Sequence, residues 1–155
     1  MAFIGIVGAR KFKDRKAVDG LIERLPDDST IVTSRCRGVC TWTQEKAKQR
    51  SLEVIVYQPD LSHLRSRFEV PKRYYQRNRE LVERCNLVHA FFSNEGGYEG
   101  GTRFEAEYAL SLAKPVMFHW EKGASQLIYQ KSFSFMEDEA EFCMDWEAFF
   151  VRVFA

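Results

Sequence analysis

Short apolar runs alternate with amphipathic stretches along most of this chain. Phe3–Val7 (FIGIV) is a continuous apolar run ending in Gly8, the pattern of a strand buried on both faces. Val18, Leu21, Ile22 and Leu25 follow at helical spacing, and Pro26 closes that helix. Thr30–Thr33 reads as a second, β-branched strand. Thr41-x-x-Gln44 has the form of a capping box and predicts the start of the next helix. Glu53–Tyr57 is a third strand, and a loop begins at Pro59. Tyr74, Tyr75, Asn78, Leu81, Val82 and Cys85 mark another helix, Leu87–Phe92 a fourth strand, Thr102–Ala113 a further helix and Pro115–His119 a fifth strand. After Trp120 the pattern weakens. It predicts a short strand near Leu127–Gln130 and a closing amphipathic helix from about Asp145, with Trp146, Phe149, Phe150 and Val153 on its apolar side.

Apolar strands alternating with helices form βαβ units with right-handed crossovers. The expected fold is therefore a single Rossmann-like α/β domain. It has a five-stranded, mainly parallel sheet in the order 3-2-1-4-5 and helices on both faces. In such a sheet ligands bind beyond the carboxyl ends of the strands, where the strand order reverses, here between the first and fourth strands. The loops at that point are Gly8–Lys13 and Ser93–Thr102, and the second contains Gly96, Gly97, Gly100 and Gly101, four of the chain's nine glycines.

Length and composition fit this picture. The 155 residues suit one domain spanning 1–155, with 120–155 as a C-terminal strand and helix extension, and 45% hydrophobic residues are enough for a sizeable core. No apolar run approaches the ~20 residues needed to cross a membrane, and Met1–Gly8 lacks the length of a signal peptide, so a cytoplasmic protein is expected. The four cysteines are expected to be reduced thiols: Cys36 and Cys40 are spaced C-x-x-x-C, which matches no common zinc pattern, and the three histidines lie far apart. Neither a metal nor another cofactor is implied. The net charge of +1 argues against a general nucleic-acid-binding surface, although Arg65, Arg67, Lys72, Arg73, Arg77 and Arg79 crowd one stretch against Glu69, and Glu137–Glu147 is acidic.

Four segments carry candidate chemistry. Gly8-Ala9-Arg10 pairs a residue that permits close backbone approach with a guanidinium suited to phosphate or carboxylate, although a glycine after a strand is also an ordinary turn. Ser34, Arg35, Arg37 and Gly38 lie where hydroxyl, guanidinium and free N–H groups at a helix start form an anion nest, and the same segment reads equally as a polar connection. Asn78 falls on an apolar stripe, so it must be tied to a neighbouring loop or face a ligand, and at most one of Arg77 and Arg79 is expected to reach the same site. Finally, the glycine-rich turn through Gly97, Gly100 and Gly101 enters a helix at Thr102, an arrangement whose amides suit phosphate. Glu105, expected in the first turn and ionised beside the helix dipole, could accept ribose hydroxyls or attack an anomeric carbon. Thr102-x-x-Glu105 is also a capping box, which would employ Glu105 structurally. His89 lies in an apolar strand and is expected to be a satisfied core histidine. Trp42, Trp120 and Trp146 read as core or rim.

Gly5–Phe12 (GIVGARKF), Ile31–Gly38 (IVTSRCRG), Arg77–Phe91 (RNRELVERCNLVHAF) and Gly100–Val116 (GGTRFEAEYALSLAKPV) together resemble the SLOG superfamily, which includes DprA-like, LOG-like and YspA-like proteins, from Phe3 to about Val116. The last segment is also similar to the nucleoside 2-deoxyribosyltransferases and to the G-T-x-x-E half of the LOG motif. Ser34-Arg35 stands where the family pattern has paired glycines, and Cys40 where an Asp is common. The resemblance implies that Glu105 is a catalytic carboxylate, that Arg77 is the family's arginine, and that Gly101 and Thr102 hold phosphate. It implies a nucleotide or nucleotide-derived ligand, cleavage or transfer at an N-glycosidic bond, and a homodimer as in LOG-like enzymes. A non-catalytic sensor of the same ligands is the alternative. A factor handling single-stranded DNA is the third reading, less favoured because the chain is near neutral.

Overall fold

A computed structural model describes residues 2–121 and 125–128. Ten elements follow in order: β1 (Phe3–Gly8), α1 (Arg15–Arg24), β2 (Thr30–Ser34), α2 (Val39–Gln49), β3 (Glu53–Tyr57), α3 (Glu69–Arg84), β4 (Leu87–Phe92), α4 (Gly100–Ser111), β5 (Val116–Trp120) and β6 (Ser125–Ile128). Five strands are parallel in the order β3-β2-β1-β4-β5, as the alternation predicts. The sheet has a sixth strand, however: β6 adds antiparallel to β5, pairing Met117 with Leu127, and begins two residues before the predicted position. The predicted closing helix from Asp145, with Trp146, lies outside the described residues, as does Cys143. Among the described residues no helix is long and apolar enough to cross a membrane.

The two-residue alternation of the strands feeds two cores. Ile4, Ile6, Ile31 and Phe91 pack with Val18, Leu21 and Ile22 of α1 and Val39 and Ala47 of α2. Val7, Val32, Val88, Ala90 and Phe92 pack with Leu81 and Val82 of α3 and Ala106, Ala109 and Leu110 of α4. Each such Val, Leu, Ile or Phe side chain contributes about 1.5–3 kcal/mol by leaving water. The helices therefore cover both faces, and the crossovers that flank β1 and β4 depart to opposite sides. That opens a crevice above the carboxyl ends of these two strands.

Local chemistry explains where the helices begin and end. Asp14 caps α1, its Oδ1 accepting from the Ala17 N–H at 3.3 Å, and Leu25 turns extended before Pro26. Neither capping box forms. α2 starts at Val39 behind Gly38, so Thr41 lies inside the first turn and bonds back to the Cys36 carbonyl, while Gln44 reaches the Ser34 carbonyl. α4 starts at Gly100, two residues before the predicted Thr102, with no side-chain cap. Both segments are glycine-led starts, and glycine lets the chain enter the helix from a backbone angle that a Thr cap does not use.

Candidate functional site

A cavity of about 500 Å³ occupies the crevice. Its walls come from the turn after β1 (Gly8, Ala9, Arg10), the loop after β2 and start of α2 (Ser34, Cys36, Cys40), the N-terminal half of α3, and the turn from Ser93 into α4. Of the residues proposed from sequence, Gly8, Ala9, Arg10, Ser34, Arg77, Asn78, Gly97, Gly100, Gly101, Thr102 and Glu105 all line this one space. Arg35, Arg37 and Gly38 do not. Arg35 and Arg37 are exposed, and Gly38, at φ +82°, shapes the entry to α2.

Gly8 has a packing reason for being glycine. A Cβ there would lie 2.5 Å from the Val39 side chain, so its absence brings α2 against the end of β1 and sets the depth of the cavity floor. On the opposite wall, Gly97 and Gly100 both adopt φ of +72°, with open space where a side chain would stand. The turn is held by the Gly96 N–H donating to Ser93 Oγ at 2.8 Å and the Gly97 N–H to the Ser93 carbonyl at 2.8 Å. Beyond it the first-turn N–H groups of α4 lack acceptors within the helix, and they border the cavity at Gly100, Gly101 and Thr102.

α3 presents a polar pair from an otherwise apolar stripe. Arg77 and Asn78 are both buried, and the Arg77 Nε–H donates to Asn78 Oδ1 at 2.8 Å. This fixes the guanidinium, which also lies over the Tyr74 ring at 5.4 Å and directs Nη2 toward the Cys36 sulfur at 3.9 Å. Of the two neighbouring arginines, Arg77 is the one that enters the site. Arg79 points away, over the Phe104 ring.

Glu105 lies in the second turn of α4 rather than the first, because the helix begins early. Its side chain is buried at 6% exposure and makes no hydrogen bond among the described residues. The expectation of an ionised carboxylate is overturned. Burial raises its pKa from the ordinary 4.5 to about 8; the Arg77 charge opposes that rise and a Cys36 thiolate adds to it. Glu105 is therefore largely protonated at neutral pH. Such a carboxyl is a proton donor poised at a cavity wall, with a guanidinium close enough to stabilise the anion it would leave.

Pattern reading missed several lining groups. Cys36 and Cys40 face the cavity as free thiols, and Tyr74, Tyr75, Ser93 and Glu99 complete its walls. Glycine and arginine signals marked the neighbourhood, but nothing local in the sequence shows that the loop after β2 passes beneath α3. Among the described residues no cluster of three or more His, Cys, Asp or Glu side chains could hold a metal ion. His89 lies away from the cavity, buried in the sheet against His119 as expected of a core histidine.

No protein-family model matches the chain, and no curated protein matches it. Its fold is similar to that in the X-ray structure of DNA processing protein A (DprA) from Streptococcus pneumoniae, with a TM-score of 0.61 at 17% sequence identity. The match covers 76% of this chain and 50% of that one, so this chain corresponds to about half of the DprA chain. The expected resemblance to DprA-like proteins thus holds at the level of the fold, a Rossmann-like sheet whose switch-point crevice is lined by the residues described above.

Proposed function

We propose that this domain binds a nucleoside 5′-monophosphate or a related nucleotide in the crevice above β1 and β4 and cleaves its N-glycosidic bond. The observation that carries this reading is the buried carboxyl of Glu105, unpartnered and mostly protonated, on the wall of a cavity that also holds a glycine-led helix start and the fixed Arg77. The N–H groups of Gly100, Gly101 and Thr102, with Arg10 across the mouth, supply donors for a phosphate. Ser34 and Asn78 are buried polar residues of the same lining that suit a ribose.

Chemistry then follows from the protonation state. As the C1′–N bond breaks, the base departs with the bonding electron pair and takes the Glu105 proton. The carboxylate left behind stabilises the positive charge at C1′, and Arg77 limits the cost of forming it in a buried site. Water adds to C1′ and returns a proton to Glu105. This differs from a nucleophilic role, which requires the carboxylate at the outset.

The test is incubation of the purified protein with nucleoside monophosphates, NAD and ADP-ribose, followed by chromatography for released base. Wild type releases base, Glu105→Gln loses about 10³-fold in kcat, and the wild-type rate falls as pH rises through about 8. Tight binding without turnover in both proteins would remove the catalytic half and leave a nucleotide-binding module.

One observation favours a second reading, the handling of single-stranded nucleic acid. Beside the cavity, Phe68 is 74% exposed with the Arg67 guanidinium over its ring at 5.5 Å, and Arg65 and Lys72, three residues before it and four after it in the chain, are exposed. An aromatic platform among cations suits base stacking along a phosphate backbone, and the protein sharing this fold is by name a DNA-processing one. A salt-sensitive gel shift with single-stranded DNA, lost in Phe68→Ala, supports this reading. No shift at low salt eliminates it.

A further inference from the structure

Two thiols of the cavity have no part in the reading above. Cys36 lies half-buried in the loop after β2, and Cys40, 1% exposed, lies in the first turn of α2. Ser34 joins them: its hydroxyl donates to the Cys40 sulfur at 3.3 Å and accepts from the Cys36 N–H at 3.4 Å. Cys36 and Cys40 both line the cavity, and Arg77 Nη2 approaches the Cys36 sulfur at 3.9 Å. The Cys36 sulfur thus lies near the N-terminal end of α2, beside a buried cation, with the Cys40 thiol on the same cavity wall and tied to the Cys36 backbone through Ser34. These are the surroundings that favour a thiolate. Of the three residues between the thiols, Arg37 and Gly38 are a turn and Val39 opens α2; Gly38 at positive φ gives the short loop the freedom to close.

We propose that Cys36 is a site of oxidation by a hydroperoxide small enough to enter the cavity, and that Cys40 is the thiol that resolves it into a Cys36–Cys40 disulfide. The Cys36 thiolate attacks one peroxide oxygen, the O–O bond breaks, and the departing oxygen takes up a proton as water or an alcohol. Sulfur is oxidised by two electrons to the sulfenic acid and the peroxide is reduced by two. Cys40 then loses its proton and attacks the Cys36 sulfur. The S–O bond breaks, hydroxide leaves with that proton as water, and the S–S bond forms. In total, two thiols and one hydroperoxide give one disulfide, one alcohol or water, and one further water.

Charge on the two thiols divides the labour. The Cys40 hydrogen bond, Ser34 and Arg77 hold the Cys36 thiol well below the ordinary range, while the hydrogen bond to Cys36 and then burial push Cys40 up. Cys85 is the internal contrast: it is buried in the core, its thiol donates to the Leu81 carbonyl at 3.1 Å, and burial pushes it up to about 12. Disulfide formation removes the negative charge facing Arg77. A nucleotide in the cavity covers Cys36, which lines it, so ligand and oxidation oppose each other there; this last step alone rests on the nucleotide reading.

The experiment treats the whole protein with equimolar hydrogen peroxide and reads each cysteine peptide by mass spectrometry. The expected result is a linked Cys36–Cys40 peptide lighter by two hydrogens, reversed by dithiothreitol, with Cys36 lost at least about tenfold faster than Cys85. Cys40→Ser accumulates a sulfenic acid at Cys36 that dimedone traps, and in Cys36→Ser the Cys40 thiol survives. Equal rates for Cys36 and Cys85, or conversion of wild-type Cys36 to sulfinic acid with no linked peptide, would overturn the proposal. AMP at saturating concentration slows the loss of Cys36. If the linked peptide forms at an unchanged rate with AMP present, the nucleotide reading loses support and the thiol pair stands.

Discussion

Two buried polar sites flank β4 on opposite faces of the sheet, and they solve the same problem differently. On the α1 side His89 and His119 face each other, His89 Nδ1 lying 2.8 Å from His119 Nε2, and the His119 ring stacks on Phe91 with centroids 4.4 Å apart. Each ring gives one nitrogen of the other the partner that burial demands, and in that sense the pair is closed. On the α4 side Glu105 is as deeply buried and has no such partner; it faces a cavity instead. The closed pair costs little and offers nothing to a ligand. The open carboxyl costs stability, and a cost of that kind is expected where a residue is retained for what it does to a ligand.

The largest effect expected on this contrast comes from opening the closed pair. His119→Ala leaves His89 buried without its partner and a cavity beside Phe91, and should lower stability by about 3 kcal/mol at neutral pH in urea unfolding. Burial, with the His119 and then the Arg24 charge, lowers His89 to about 3, and burial with the Arg24 charge lowers His119 to about 4, so both are neutral in the folded protein. A depressed histidine contributes stability that is present above its ordinary 6.5 and lost as pH falls toward the folded value. Removing His119 should therefore flatten the acid loss between about pH 6 and pH 4 by up to about 1.4 kcal/mol per pH unit. A variant as stable as wild type would show that the pair was never closed.

A smaller effect of opposite pH sign is expected at Glu105. A carboxyl whose pKa is raised on folding leaves the fold unpenalised below its ordinary 4.5 and weakens it as pH climbs toward about 8. Glu105→Gln should equal wild type in stability near about pH 4.5 and gain on it by up to about 1.4 kcal/mol per pH unit, reaching about 2–3 kcal/mol by neutral pH. The same substitution that abolishes base release should thus stabilise the protein. A loss of stability at neutral pH would mean that Glu105 has structural partners after all and belongs with the histidines.

Much of this was legible in the chain because the signals are local. FIGIVG specifies a doubly buried strand, Val18, Leu21 and Ile22 specify one helix face, and Pro26 ends it; the strand order and the crevice follow. Arg77, Asn78 and the glycine turn could be placed in the site because a polar residue on an apolar stripe and clustered glycines are visible without tertiary information. The capping boxes failed for a definite reason. Thr-x-x-Glu is informative only when Thr occupies the N-cap, and Gly38 and Gly100 start their helices sooner, which moves Glu105 one turn inward and reverses its charge state. The thiol pair was illegible as a functional feature because its neighbour Arg77 lies 41 residues away from Cys36 in the chain. Only the crossing of α3 over the loop after β2 brings them together.

The smallest effect separates the rim of the open site from its interior. Gly100 has φ of +72°, and a Cβ there meets nothing within 4 Å, so Gly100→Ala introduces backbone strain and no clash. The expected cost is about 1–2 kcal/mol. Gly8→Ala, by contrast, drives a Cβ to 2.5 Å from Val39 and should cost more by displacing α2. If the instability of the pocket resides in the Glu105 carboxyl, the Gly100→Ala deficit is the same at about pH 5 and about pH 8, because that strain carries no charge. A deficit that grows across this range would instead show that the glycine turn holds the Glu105 environment in place. The open site would then be one cooperative unit, as the histidine pair already is.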